Sequence, residues 1–88
     1  MTKNCFNCRL EGGHCTANVG CGIENGKRWM TIYLIWTQLE YRRQGEATRL
    51  VNALKEFCEK SNSELAAWCP MDERSEGLFK KCGIPVYG

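Results

Sequence analysis

The segment from residue 29 to residue 60 constrains the fold most, because its hydrophobic pattern changes period once, at a glycine. Residues 29–37 are rich in β-branched and aromatic side chains, and both faces are largely apolar, which is typical of a covered central strand. One face would carry Met30, Ile32, Leu34 and Trp36. From residue 46 to residue 60 the apolar side chains recur at helical spacing instead. They are Ala47, Leu50, Val51, Leu54, Phe57 and Cys58.

An earlier strand and a tight turn precede this unit. Apolar residues occupy alternate positions from Ala17 to Ile23, which predicts a strand with one buried face. Asn25 and Gly26 follow, and this pair favours a two-residue hairpin because both positions need positive φ. The two strands are therefore predicted to form a hairpin.

A second β-α unit follows the long helix. Residues 64–69 predict a short strand that Pro70 would stop. Asp72 is placed to cap a second helix, which Gly83 would end in a left-handed conformation. Residues 84–88 could supply one more short strand. The predicted order is β-β-α-β-α-(β), a small α/β (α+β) domain with a short mixed sheet and two helices.

Length and charge exclude several classes of protein. The 88 residues suffice for one modest core. The net charge of +2 argues against nucleic acid as a partner. The longest apolar run is too short to span a membrane, and the N-terminus lacks the apolar stretch of a secretory signal. We therefore expect a cytoplasmic protein without a membrane partner.

The first fifteen residues differ in composition from the rest. The chain has seven cysteines, an odd number, and it lacks an export signal, so a disulfide framework is not favoured. Cys5 and Cys8 have the spacing of a zinc knuckle, and two of His14, Cys15 and Cys21 would have to complete the set. The hypothesis is a zinc site formed by Cys5, Cys8, Cys15 and Cys21.

The alternative for this segment is a reduced head whose thiols bind nothing. Cys21 lies on the buried face of the first predicted strand, which competes with a role as a metal ligand. On either interpretation, residues 1–15 are expected to form a cysteine-rich head and residues 16–88 the folded domain.

The turn between the central strand and the long helix is a candidate anion site. The first N–H groups of a helix have no partner within the helix, and the helix dipole favours negative charge there. Gly45 lets a ligand approach the backbone, and Arg42 and Arg43 add positive charge. The alternative is an ordinary connection with solvent-facing arginines.

The run from Ile35 to Ala47 resembles the signature of the GNAT superfamily of N-acetyltransferases, and Leu78 to Ile84 resembles a second motif of that family. The resemblance covers roughly residues 16–84 and implies acetyl-CoA as the cosubstrate. It implies that the pyrophosphate binds the turn and that the pantetheine arm pairs with the end of the strand. The implied contacts are Ile35, Trp36, Thr37, Arg42, Arg43, Gln44, Gly45, Glu46 and Ala47.

The resemblance is weaker for acid-base chemistry. Phe79 stands where the family usually has a tyrosine that protonates the leaving thiolate, and Asp72 stands where it usually has an asparagine. Family positions for a glutamate base fall on Thr31 and Ala67. The catalytic residues therefore stay unassigned. The side chains most plausibly near the site are Tyr33, Glu40 and Tyr87.

Three functions remain open at this point. The first is an acetyl-CoA-dependent N-acetyltransferase that acts on an amine, which could be carried by a protein. The second is a catalytically silent module that binds CoA or a partner protein, and Phe79 favours it. The third, a zinc-stabilised nucleic-acid module, is disfavoured by the charge. The chain is also shorter than most of the resembled family, so the acceptor site would be open or completed by a second copy in a homodimer.

Overall fold

The computed structural model describes residues 4–68 and 73–87. Five strands form a single sheet in which neighbours in space follow the order of the chain. The first three strands pair antiparallel. The fourth strand pairs parallel to the third, and the fifth pairs parallel to the fourth. The elements are β1 (Asn4–Cys8), β2 (Cys15–Glu24), β3 (Lys27–Thr37), a 3₁₀ turn (Leu39–Tyr41), α1 (Glu46–Lys60), β4 (Ser63–Trp68), α2 (Glu73–Lys81) and β5 (Val86–Tyr87). This confirms the predicted α/β class.

The edge strand β1 was not predicted. It pairs with β2 from Asn4 opposite Cys21 to Cys8 opposite Ala17. The first fifteen residues therefore contribute a strand to the sheet instead of forming a separate head. Only residues 4–8 take part, and such a short run is dominated by cysteine and asparagine, so its pattern alone does not indicate a strand.

The β2–β3 hairpin forms as the sequence predicts. Asn25 has φ 52° and Gly26 has φ 78°, as a two-residue type I′ turn requires. The strands pair up to the turn, where Glu24 lies opposite Lys27. The turn sets the register of β2 and β3 from Glu24 opposite Lys27 to Val19 opposite Ile32.

A bulge in β3 changes which side chains face the core. Ile32 lies opposite Val19 and Leu34 lies opposite Asn18, which leaves Tyr33 as an extra residue between them. The side chains of β3 therefore change faces after Ile32.

This reversal corrects the predicted faces of the central strand. Met30 and Ile32 are buried, as expected, but Leu34 and Trp36 are 43% and 41% exposed. Ile35 packs against the core in their place. A strand that is apolar on both faces gives no sign of where its faces exchange, so the pattern could not locate the bulge.

Both helices contribute to one core on one face of the sheet. The stripe of α1 buries Leu50, Val51, Leu54 and Cys58 as predicted, whereas Phe57 is 59% exposed. Full burial of each large apolar side chain contributes about 1.5–3 kcal/mol. The core also contains Phe79, Cys82 and Ile84 from α2 and the segment that follows it.

The end of α2 also agrees with the sequence. Gly83 has φ 74°, the left-handed conformation expected just after a helix. Lys55 Nζ donates to the carbonyl of Cys82 at 3.0 Å and so joins the two helices. The predicted cap Asp72 lies outside the described residues. Neither helix in the described part of the chain is long and apolar enough to cross a membrane.

Candidate functional site

A cleft opens where β3 and β4 separate. Among the described residues these strands pair as far as Ile32 opposite Ala67, and β3 then continues to Thr37 without a further described partner on that side. The resulting cleft has a volume of about 530 Å³. It is lined by Leu34, Ile35, Trp36, Thr37, Tyr41, Arg42, Arg43, Gly45, Glu46, Ala47, Thr48, Ser75 and Leu78.

This cleft brings together nearly all of the acetyl-CoA contacts that the resemblance to the GNAT family implies. The end of β3 (Ile35, Trp36 and Thr37) forms one wall, and the turn that begins α1 forms another. Gln44 is the one predicted contact that does not line the cleft. Ser75 and Leu78 of α2 were not predicted, and being three residues apart they share one side of that helix.

The first turn of α1 presents free backbone donors to the cleft. Gly45, the N-cap, has φ 76° and provides no side-chain hydrogen bond. The first bond of the helix runs from the Arg49 N–H to the Gly45 carbonyl at 3.0 Å. The N–H groups of residues 46–48 therefore have no acceptor within the helix. A Cβ atom on Gly45 would have only Arg49 Nη1 near it, at 3.9 Å, so the backbone there is open to a ligand.

Two arginines lie beside these donors. Arg42 Nε donates to the carbonyl of Thr37 at 3.2 Å, which holds the guanidinium at the end of β3. Arg43 has φ 65°, an uncommon conformation for a residue with a side chain. Both arginines are exposed and line the cleft. The helix N-terminus and the arginines together favour an anionic ligand.

Glu46 introduces a carboxylate at this positive site, and His14 holds it. The Oε1 atom accepts the backbone N–H of His14 at 2.7 Å, and Oε2 lies 3.2 Å from His14 Nδ1. The His14 ring stacks on Tyr41 with ring centres 3.4 Å apart. The Glu46 side chain is only 10% exposed. The backbone N–H of His14 is the main cause that lowers the pKa of Glu46, so this carboxyl is ionised.

The acid-base candidates from the sequence do not gather in this cleft. Phe79 is 3% exposed and belongs to the core. Thr31, Tyr33 and Tyr87 line a different groove, and Glu40 is exposed in the 3₁₀ turn. Among the described residues, Glu46 is the only carboxylate that lines the cleft, and its bonds to His14 occupy it.

The four cysteines of the predicted zinc set do not all lie on one face of the sheet. Cys5 and Cys8 are three residues apart in β1, so their side chains point to opposite faces of the sheet. Cys15 is 2% exposed within the core. Burial raises the pKa of Cys8, Cys15 and Cys21, which favours neutral thiols. No group of three or more metal-ligating side chains forms among residues 4–68 and 73–87. These positions do not support a zinc site.

A family model described as "Acetyltransferase (GNAT) family" matches residues 2–84. No curated protein matches the sequence. Among solved structures, a ribosomal-protein-alanine N-acetyltransferase from Brucella melitensis superposes with a TM-score of 0.70 at 20% identity. The match covers 85% of this chain and 58% of that one.

Two structures of an aminoglycoside acetyltransferase from an uncultured soil metagenomic sample are similar as well. The complex with trehalose has a TM-score of 0.59 at 16% identity, over 76% of this chain and 45% of that one. The complex with sisomicin has a TM-score of 0.60 at 15% identity, over 78% of this chain and 46% of that one. The chain thus spans about half the length of these structures, and at these identities the likeness shows the fold.

Proposed function

The chain belongs to the acetyltransferase (GNAT) family, and on this premise we propose that it binds acetyl-CoA in the cleft between β3 and α1 and transfers the acetyl group to an amine. The observation that carries the proposal is the convergence of two features on one cleft. An open strand end and a helix N-terminus flanked by two arginines lie on either side of it.

The pyrophosphate of CoA fits the turn that begins α1. The free N–H groups of residues 46–48 can each donate to a phosphate oxygen. Arg42 is held at its Nε by the Thr37 carbonyl, which leaves the two terminal nitrogens of the guanidinium for a phosphate. Gly45 keeps the approach to the backbone open. Hydrogen bonds and charge therefore favour the same ligand group.

The pantetheine arm fits the end of β3. Beyond Ile32 this strand has no partner on the side of β4 within the described part of the chain, so backbone groups there can pair with the amides of the arm. The thioester would lie near Tyr33, where the bulge changes the direction of the strand. Backbone N–H groups beside the bulge could polarise the acetyl carbonyl.

The transfer requires little acid-base assistance from side chains. The amine nitrogen forms a bond to the acetyl carbon, the C–S bond breaks, CoA leaves as a thiolate, and the proton lost by the amine goes to water. Holding the amine and the thioester together already removes much of the barrier. A buried Phe79 is therefore compatible with catalysis, although at a rate below that of an enzyme with a proton donor.

The structural neighbours support an amine acceptor. One acts on a ribosomal protein alanine and the other is an aminoglycoside acetyltransferase. The rest of an acceptor wall could come from a second copy of the chain, as the short length predicts. Sedimentation at high micromolar concentration, with and without CoA, tests that homodimer.

Calorimetric titration with acetyl-CoA tests the binding half of the proposal. Gly45→Glu should abolish binding, since it places bulk and negative charge at the phosphate position. Gly26→Glu is the matched control, because Gly26 also has a positive φ and open space but lies at the far end of β3. Equal affinity in the folded Gly45→Glu and Gly26→Glu proteins would refute the site.

Turnover separates the enzyme from the silent alternative. Because the chain itself contains seven cysteines, the acetylated product should be measured by mass spectrometry in preference to a thiol reagent. Tight binding of acetyl-CoA without a product from any amine would favour the silent CoA-binding module.

A further inference from the structure

A second groove lies on the sheet face opposite the helices. Trp29 and Thr31 of β3 alternate with Met30 and Ile32, which are buried under the helices, so they point the other way. The groove has a volume of about 760 Å³. The features that matter for its chemistry are four aromatic side chains and three charged ones.

The aromatic side chains are Trp29, Tyr33, Trp68 and Tyr87. Two of them lie directly against glycines of β2. A Cβ atom on Gly22 would come within 2.5 Å of Trp29 Cζ2, and one on Gly20 within 2.6 Å of Tyr33 Cε2. Any larger residue at either glycine would displace a ring, so β2 is shaped to seat both. The other two rings, Trp68 and Tyr87, are 51% and 55% exposed.

The charged side chains among the described residues of the lining sum to a net negative charge. Lys27 Nζ lies 2.8 Å from Glu64 Oε1, so these two groups largely neutralise each other. Glu24 also lines the groove and forms no ion pair within the described part of the chain. One uncompensated carboxylate and several electron-rich rings favour a cationic ligand.

The groove reaches the proposed thioester position at one end. Tyr33 lines the groove, and the next residue, Leu34, lines the cleft assigned to acetyl-CoA. The two sites therefore meet at the bulge, where β3 and β4 separate. Glu24 lies at the other end, beside Lys27. The six residue steps from Lys27 to Tyr33 span about 20 Å at ~3.3 Å per residue.

We propose that this groove binds a linear aliphatic polyamine, with one ammonium group at Glu24, the chain over the aromatic rings and a terminal amine at Tyr33. The role of that amine as the acetyl acceptor rests on the proposed function. Alkyl segments between the charges cover the rings, and the ammonium groups interact with the ring faces and with Glu24.

An extended peptide fits this groove less well. Outside the Lys27–Glu64 pair and Glu24, most of the described lining is apolar or aromatic, with polar groups mainly at Asn25, Thr31 and the ends of the rings, so a regular series of partners for peptide N–H and C=O groups is missing there. A polyamine has no such groups between its nitrogens. It also places positive charge at both ends of a groove that is about 20 Å long.

The test is a titration of the free protein with spermine, followed by ¹H–¹⁵N correlation spectra. The three tryptophans give three indole N–H signals. Trp29 and Trp68 line the groove, whereas Trp36 lines the other cleft. Spermine should shift the signals of Trp29 and Trp68 and leave that of Trp36 unchanged. Hexylamine, which has one charge, should bind more weakly.

Two substitutions test the charge. Glu24→Gln should weaken spermine binding about three- to fivefold, which corresponds to one exposed charge pair. Glu59→Gln is the control, since Glu59 is an exposed carboxylate on α1 that does not line the groove. Equal spermine affinity in both variants would overturn the assignment of Glu24.

The outcomes separate this proposal from the proposed function. No shift at Trp29 and Trp68, or tighter binding of a lysine-containing peptide at the same signals, would overturn the polyamine assignment. Because the titration contains no acetyl-CoA, spermine binding at these signals supports the groove whether or not transfer occurs. Spermine binding without acetylspermine after acetyl-CoA is added would count against the transferase alone.

Discussion

The Nδ1 atom of His14 lies 3.2 Å from Oε2 of Glu46, although the two residues are 32 positions apart in the chain. A second bond joins the backbone N–H of His14 to the other oxygen of the same carboxylate. Together they fix the beginning of β2 to the first turn of α1. They also turn the negative charge of Glu46 toward His14. This matters because Glu46 lies at the helix end where an anionic ligand is proposed to bind.

The first prediction concerns the stability of this contact in acid. The pKa of Glu46 is lowered in the folded protein, chiefly by the backbone N–H of His14. Its stabilising contribution is therefore complete above the unfolded-state pKa and is lost as pH falls through the lower, folded-state pKa. Glu46→Gln should be less stable than wild type at pH 7, and the difference should shrink in acid.

Urea unfolding at several pH values between 3 and 7 measures this difference. Glu59→Gln is the control, since Glu59 is exposed and forms no ion pair among those found in the described part of the chain. If the difference in unfolding free energy between wild type and Glu46→Gln stayed constant over this pH range, the Glu46 carboxylate would not stabilise the fold through its charge.

The second prediction concerns CoA affinity. His14→Ala removes the ring that faces Glu46 Oε2 and leaves only the backbone N–H bond to Oε1, so the carboxylate is held less firmly away from the phosphate position. Binding of CoA should weaken several-fold through charge repulsion. Adding Glu46→Gln to His14→Ala should restore most of the affinity, because the repelling charge is gone.

A double-mutant cycle by calorimetry measures this coupling. A His14→Ala effect that persists undiminished in the Glu46→Gln background would indicate that His14 acts through the fold instead. Circular dichroism of each variant checks that β2 and α1 are intact.

The third prediction concerns Phe79. From the sequence alone, Phe79→Tyr is expected to restore a proton donor and raise the rate of transfer. The structure places this side chain in the core at 3% exposure, so the new hydroxyl would be buried. We now expect no gain in rate and a loss of stability of about 1–3 kcal/mol if the hydroxyl finds no partner.

Phe57→Tyr is the matched control for this change. Phe57 is 59% exposed on α1, so a hydroxyl there reaches water and should leave stability unchanged. Urea unfolding and product formation are measured for both variants. Faster transfer by Phe79→Tyr at unchanged stability would show that the ring edge reaches the thioester.

Local patterns were sufficient to predict much of this fold. Asn25-Gly26 predicted the hairpin because the φ angles of a type I′ turn admit few residues, and the spacing of Leu50, Val51 and Leu54 predicted α1 because a helix has one buried stripe. The turn that borders the cleft followed from the strand, the glycine and the helix around it, whereas the contacts at the strand end were implied by the resemblance to the GNAT family.

Contacts between distant parts of the chain could not be predicted in this way. The bulge at Tyr33 lies in a strand that is apolar on both faces, so periodicity could not locate it. The contact of His14 with Glu46 depends on the sheet bringing the start of β2 to the start of α1. The sequence therefore suggested His14 only as a metal ligand.

The last prediction concerns the bond between Arg42 Nε and the Thr37 carbonyl, which is 3.2 Å long. This bond occupies one nitrogen of the guanidinium and leaves two for a phosphate, so Arg42 would join the strand end to the pyrophosphate. Lysine has the same charge but a single nitrogen, which cannot serve both partners with the same geometry. Arg42→Lys should therefore lose nearly as much CoA affinity as Arg42→Ala, about tenfold for a charge-assisted bond. Arg28→Lys and Arg28→Ala, at the far end of β3, are the controls. If Arg42→Lys bound CoA as tightly as wild type, Arg42 would contribute only its charge.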